Sequence, residues 1–221
     1  MIPLYDTIRT RKFPFINWLL ILANAAVFWY ELQLGENALQ NFIFTWGLIP
    51  AELLSKPQQE WLTVFTAMFL HGGWFHIISN MWVLYIFGDN IEERVGSMRY
   101  LLFYLLSGIA AASLQVFILP SSSVPMIGAS GAIAGVLGAY LVSFPGSRIA
   151  SIVPIFFIFT IVEVPAILFL ILWFASQLYS GLFAMQGSAG SGIAWWAHVG
   201  GFLFGLIMVP FFRRRTVYRG Y

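Results

Sequence analysis

Apolar residues fall into six long runs, separated by polar segments and by stretches punctuated with glycine and proline. The runs cover about residues 14–32, 74–88, 98–119, 130–145, 164–183 and 195–212. About 20 consecutive apolar residues can cross a bilayer as a helix, so the pattern predicts six membrane-spanning helices. A further apolar stretch, "SIVPIFFIFTIVE" (151–163), reads as loop or re-entrant segment because Pro154 and Pro165 interrupt it. An even number of spans puts both termini on one side.

Composition and charge agree with this reading. The chain is 60% hydrophobic and 9% charged, against about 25% charged residues in a soluble domain. Arg9, Arg11 and Lys12 precede the first run, Arg94 and Arg99 lie between the second and third, Arg148 follows the fourth, and Arg213, Arg214, Arg215 and Arg219 follow the sixth. A six-span topology puts all of them on one side and only Lys56 on the other. The positive-inside rule makes that side cytoplasmic, so both termini are expected there. A count of five or seven would split the terminal basic clusters. The first run is long and no small-residue cleavage site follows it, so it is expected to stay as a helix. The expectation is a single membrane domain over 1–221, with a core of about 14–212 and short cytoplasmic tails at 1–13 and 213–221. It would be a multi-pass protein of a prokaryotic cytoplasmic (inner) membrane. The net charge of +2 gives no reason to expect nucleic acid, and the absence of cysteine excludes disulfides and thiolate metal sites.

The polar residues left inside the runs carry the chemistry. Ser130 opens the fourth run in "GASG" (128–131), His76 lies in the second run and His198 in the sixth. Counting from the cytoplasmic ends at about 1.5 Å per residue, all three reach a similar depth, about 20–22 Å, in a hydrocarbon core of about 30 Å. Polar groups there are costly unless they face one another or a water-filled cavity. Gly131, Gly135 and Gly138 on the fourth run, and Ala197, Gly201 and Gly205 on the sixth, form small-residue faces that let two helices approach closely in lipid. Ser130 and His198 sit at the outer ends of these faces, within reach of each other.

A serine nucleophile needs a base that is neutral near pH 7, and His198, in the first turn of its helix, fits that role. Free N–H groups at the start of the fourth helix, beginning with Ser130, could hold an oxyanion. His76 and Asn80 are four apart on one helix face, and both can donate hydrogen bonds to the same anion. No carboxylate lies near His198 in the sequence, so the arrangement reads as a Ser–His dyad. Other chemistries fit worse. HExxH is absent, His71 and His76 are five apart and point different ways on a helix, no aspartate falls within a span, and Lys56 is in a loop. No cofactor or metal is expected. His71 reads as an interfacial loop residue without a role.

At these residues the chain resembles the rhomboid intramembrane serine proteases. The likeness rests on "HGGWFHIISNM" (71–81), "GASG" (128–131) and "AHVGGFLFG" (197–205), in that order, with "FGDNIEERVG" (87–96) after the second span. The resemblance implies an all-α membrane protein, a compact six-transmembrane-helix rhomboid-type bundle with both termini cytoplasmic. It implies Ser130 as nucleophile, His198 as general base, and His76, Asn80 and the Ser130 amide as the oxyanion hole. The expected function is an intramembrane serine endopeptidase that cleaves transmembrane helices of membrane-protein substrates in the lipid bilayer. The alternative is a catalytically silent rhomboid-like protein that binds membrane clients. A transporter is a weaker third class, since neither internal symmetry nor broken helices are evident. Two departures stand out. Ala134 occupies a position where family members often have an aromatic packing on the imidazole, and the first outer loop lacks a Trp-Arg pair. "AMQGSAGSG" (184–192) suits a mobile cap, and the Phe- and Leu-rich fifth span suits a side entrance.

Overall fold

The computed structural model describes residues 1–155, 158–185 and 193–213, with backbone only at 154, 155 and 158. The elements run β1 (Ile2–Asp6), α1 (Phe15–Glu31), α2 (Glu36–Trp46), α3 (Pro50–Ser55), α4 (Pro57–Glu60), α5 (Thr63–Thr66), a 3-10 turn (Ala67–Phe69), α6 (Trp74–Val95), α7 (Ser97–Ile118), α8 (Ser130–Ser143), β2 (Arg148–Ile155), β3 (Ile158–Pro165), α9 (Ala166–Ala184) and α10 (Trp195–Phe212). Each of the six apolar runs overlaps one helix, α1, α6, α7, α8, α9 and α10 in turn, and α6 continues seven residues beyond its run. Three of these, α7, α9 and α10, are long and apolar enough to cross a membrane, and α1 and α8 are shorter apolar helices. Helix α6 has 22 residues, but its last turns carry Asp89, Glu92, Glu93 and Arg94.

The chain is not purely helical. Strands β1, β2 and β3 form an antiparallel sheet in that order, so the stretch expected as loop or re-entrant segment is part of a β-hairpin. The prolines that argued against a strand sit where no ladder hydrogen bond is lost. Pro165 ends β3 opposite Arg148. Pro154 pairs with Phe159 beyond Ile152, the last β2 residue that β1 reaches, and Pro3 lies beside a register shift on the edge strand β1. The tail expected at 1–13 is likewise partly ordered, because it supplies β1.

One end of the bundle is tied together by polar contacts. Thr7 N–H donates to the Arg148 carbonyl, Thr10 Oγ1 to Asp89, Arg11 N–H to Glu93, and the Arg213 guanidinium to the Val142 carbonyl. Five of the ten basic residues assigned to the shared side (Arg11, Arg94, Arg99, Arg148 and Arg213) belong to or adjoin the segments that meet here. Glu92, 3% exposed, accepts from the amides of Ile16 (3.1 Å) and Asn17 (2.8 Å). It thereby satisfies two donors in the first turn of α1 that have no helical partner. Asn17 in turn donates to the Leu84 carbonyl and accepts from the Tyr100 hydroxyl, which joins α1 to α6 and α7. Asp6 accepts from Tyr140 of α8 and from Asn90 of α6, and so anchors β1 to the same end.

The centre is a contact between α8 and α10 without side chains between the backbones. A Cβ placed on Gly201 would meet the Gly131 carbonyl oxygen, and one on Gly205 the Gly135 carbonyl oxygen. The expected small-residue faces therefore pack as drawn from the sequence, and they fix Ser130 against His198.

Candidate active site

Ser130 is the first residue of α8, so its N–H precedes the first helical hydrogen bond and stays available to a ligand. The chain reaches it through Gly128, whose φ of +116° suits glycine. The Gly128 N–H donates to the Ala67 carbonyl. A Cβ at Gly128 would press on the His76 ring at 2.6 Å from Nε2, with Asn80 Nδ2 at 3.6 Å. The missing side chain therefore brings His76 and Asn80 of α6 up to the turn before the serine.

Ser130 Oγ lies 2.7 Å from His198 Nε2. Both line one cavity of about 610 Å³, together with Gly72, His76, Asn80, Gly128, Trp173 and Trp195. All four expected side chains thus meet in one place. His76 Nδ1 accepts the Gly72 N–H at 3.4 Å, so a neutral ring carries its proton on Nε2, the atom facing Gly128. Asn80 is 6% exposed, and its amide nitrogen reaches His71 Nε2 at 3.0 Å.

Three participants were not foreseen. His71 is not an interfacial loop residue without a role. It is 1% exposed, its N–H donates to the Glu31 carboxylate, and its ring supports Asn80. Gln177 of α9 places Oε1 2.8 Å from His198 Nδ1. Gln115 accepts the Ala197 N–H at 3.2 Å and caps the start of α10. The only signal for either glutamine was a lone amide in an apolar helix, where polar groups are costly and seek partners. The place of the aromatic missing at Ala134 is taken from other elements. The Trp173 and Trp195 ring centroids lie 6.1 and 6.0 Å from that of His198. Glu163 is remote from this site and pairs with Arg148 across the hairpin. The glycine-rich segment expected as a cap (184–192) lies mostly outside the described residues.

Apolar helices, three of them long and apolar enough to cross a membrane and two of them packed through glycine, bring a hydroxyl, two imidazoles and an amide into one cavity. The rhomboid domain family model matches residues 58–215; the chain belongs to the rhomboid family. It is 36% identical over 110 residues to "Rhomboid-like protein 11, chloroplastic" of Arabidopsis thaliana, covering 49% of this chain and 39% of that protein. It is 30% identical over 132 residues to "Putative rhomboid protease YdcA" of Bacillus subtilis, covering 59% and 63%. It is 34% identical over 128 residues to "Rhomboid protease GluP" of the same bacterium, covering 58% and 24%. The matched stretches span less than two thirds of each of these relatives.

Proposed function

We propose that the protein is an intramembrane serine endopeptidase with Ser130 as nucleophile and His198 as general base. The observation that carries this reading is the 2.7 Å contact between Ser130 Oγ and His198 Nε2, made by two helices inside a cavity that also holds two further donors. The Ser130 proton passes to His198 Nε2 as Oγ attacks the substrate carbonyl carbon. The negative charge that forms on the carbonyl oxygen is held by the Ser130 N–H, His76 Nε2–H and the second amide hydrogen of Asn80. Collapse breaks the C–N bond, and His198 gives its proton to the leaving amine. Water then enters, gives a proton to His198 and attacks the acyl carbon; the ester C–O bond breaks, and His198 returns the proton to Ser130 Oγ. A substrate helix has to unwind locally to offer its peptide bond, since a helical backbone is hydrogen-bonded within itself.

The membrane reading places six helices across the bilayer, the basic end of the bundle towards the cytoplasm, and the Ser130 cavity in the opposite half. Membrane-protein helices are the substrate class. The relatives are named as chloroplastic and bacterial proteins, so their names do not favour a prokaryotic inner membrane over an organellar one. The client-binding alternative draws on relatives named rhomboid-like without the word protease, but a silent binder has no need of a serine within hydrogen-bond distance of an imidazole. The test is labelling with a serine-directed fluorophosphonate in liposomes, followed by mapping of the modified residue and by cleavage of a co-reconstituted helical substrate. Label on Ser130, and loss of both signals in Ser130→Ala with the fold intact, are expected. Cleavage by Ser130→Ala at the unaltered rate would overturn the assignment.

A further inference from the structure

We propose that Gln177 is a positioning residue that holds His198 in the tautomer a base requires; this rests on the reading of Ser130 and His198 as the catalytic pair. The orientation of the Gln177 amide follows from its neighbours on α9. Ser176 Oγ donates to the Trp173 carbonyl at 2.6 Å. With its proton used there, Ser176 Oγ accepts from Gln177 Nε2 at 2.9 Å. The Trp173 carbonyl accepts from the same nitrogen at 3.4 Å. The NH2 end of the amide is thus turned back along α9, and the oxygen faces His198 Nδ1 at 2.8 Å.

A carbonyl oxygen only accepts, so Nδ1 carries the ring proton and Nε2 presents its lone pair to Ser130 Oγ. Every hydrogen bond in the row then points the same way, from Ser130 to His198 to Gln177. Gln177 is 7% exposed and His198 8%. At such a place a carboxylate would bury a charge, whereas an amide supplies the acceptor without one. The amide takes the position that an acid holds in a Ser-His-Asp triad, fixing the tautomer and orientation of the imidazole while bringing no counter-charge.

Three variants separate this role from packing. Gln177→Met keeps the volume and removes the acceptor; kcat should fall about 10- to 100-fold, the size of losing one hydrogen bond to a group that becomes charged, with KM little changed. Gln177→Glu restores an acceptor at the cost of a buried charge, so its kcat should lie above that of Gln177→Met while its Tm lies below; a packing role moves kcat in step with Tm. The ring nitrogens of His198, read by 15N NMR in the wild-type protein in lipid, should show a protonated Nδ1 and an unprotonated Nε2. A wild-type ring protonated on Nε2 instead, or Gln177→Met matching wild type in kcat, would overturn the proposal. Absence of label on wild-type Ser130 would overturn the catalytic pair itself, a separate failure that leaves the tautomer measurement interpretable.

Discussion

Asn80 donates its side-chain amide to Nε2 of His71 at 3.0 Å, and His71 Nδ1 lies 3.3 Å from the Phe69 carbonyl. An amide nitrogen cannot accept, so His71 carries its proton on Nδ1, gives it to Phe69 and receives one hydrogen from Asn80. The other Asn80 hydrogen is then held towards the cavity. Asn80→Ala is expected to lower kcat by about 10²-fold, the usual cost of removing one oxyanion donor, while fluorophosphonate still finds Ser130. His71→Leu, which frees Asn80 to rotate, should show the same kind of loss at smaller size. Steady-state cleavage kinetics check both, and an unchanged kcat in Asn80→Ala would remove it from the oxyanion hole.

The glycine contact between α8 and α10 makes a second prediction. Gly201→Val or Gly205→Val forces a side chain into a backbone carbonyl of α8. Overpacking of this kind costs about 1–3 kcal/mol, and here it also separates the serine from the histidine. Thermal unfolding in detergent should shift down and Ser130 labelling should vanish. Gly146→Ala, where an added Cβ meets open space, should leave both measurements within error.

Glu92 secures the start of α1 from beneath, far from the catalytic cavity. Glu92→Ala leaves the Ile16 and Asn17 amides unpaired in the interior and should lower stability by about 3 kcal/mol. Glu92→Gln, which keeps one acceptor oxygen, should lose less. Both are expected to label at Ser130 normally below their melting temperatures; loss of label without loss of Tm would contradict this separation.

Docking of β1 is expected to depend on pH. Burial raises the Asp6 carboxyl from 3.8 to about 6, against the opposing hydrogen bond from Tyr140, and Asp89 nearby pushes in the same direction as burial. The docked strand therefore binds the proton more tightly than the released one. Its docking should be strongest below about pH 4, weaken as pH rises to about 6, and be level above that. Hydrogen-exchange protection of the amides of residue 2 and residues 4–6, corrected for intrinsic rates, should fall across this window in wild type and fall less in Asp6→Asn, where Asp89 still titrates. Protection that increases with pH would contradict the burial argument.

The helices were legible because each places an apolar run of bilayer scale between breakers, and the Ser130–His198 meeting was legible because the glycine spacing on α8 and α10 leaves no side chain to hold them apart. The sheet was not, because Pro154 and Pro165 count against a strand until the pairing shows them beyond or at the end of the ladder. His71 escaped because its value lies in Asn80, nine residues away across a glycine turn, and not in any spacing of ligands. Gln177 escaped for the opposite reason: an amide belongs to no catalytic motif, and only the neighbouring Ser176 and Trp173 fix which of its ends faces the imidazole.

The backbone weld between α8 and α10 divides the site into a fixed part and an adjustable one. Hydroxyl and imidazole ride on two helices packed backbone to backbone. The amide rides on α9, which turns Ile167, Leu168, Ile171 and Leu172 outward. On the proposed reading, a push on that flank reaches the Gln177–His198 contact before the Ser130–His198 contact, which α8 and α10 hold.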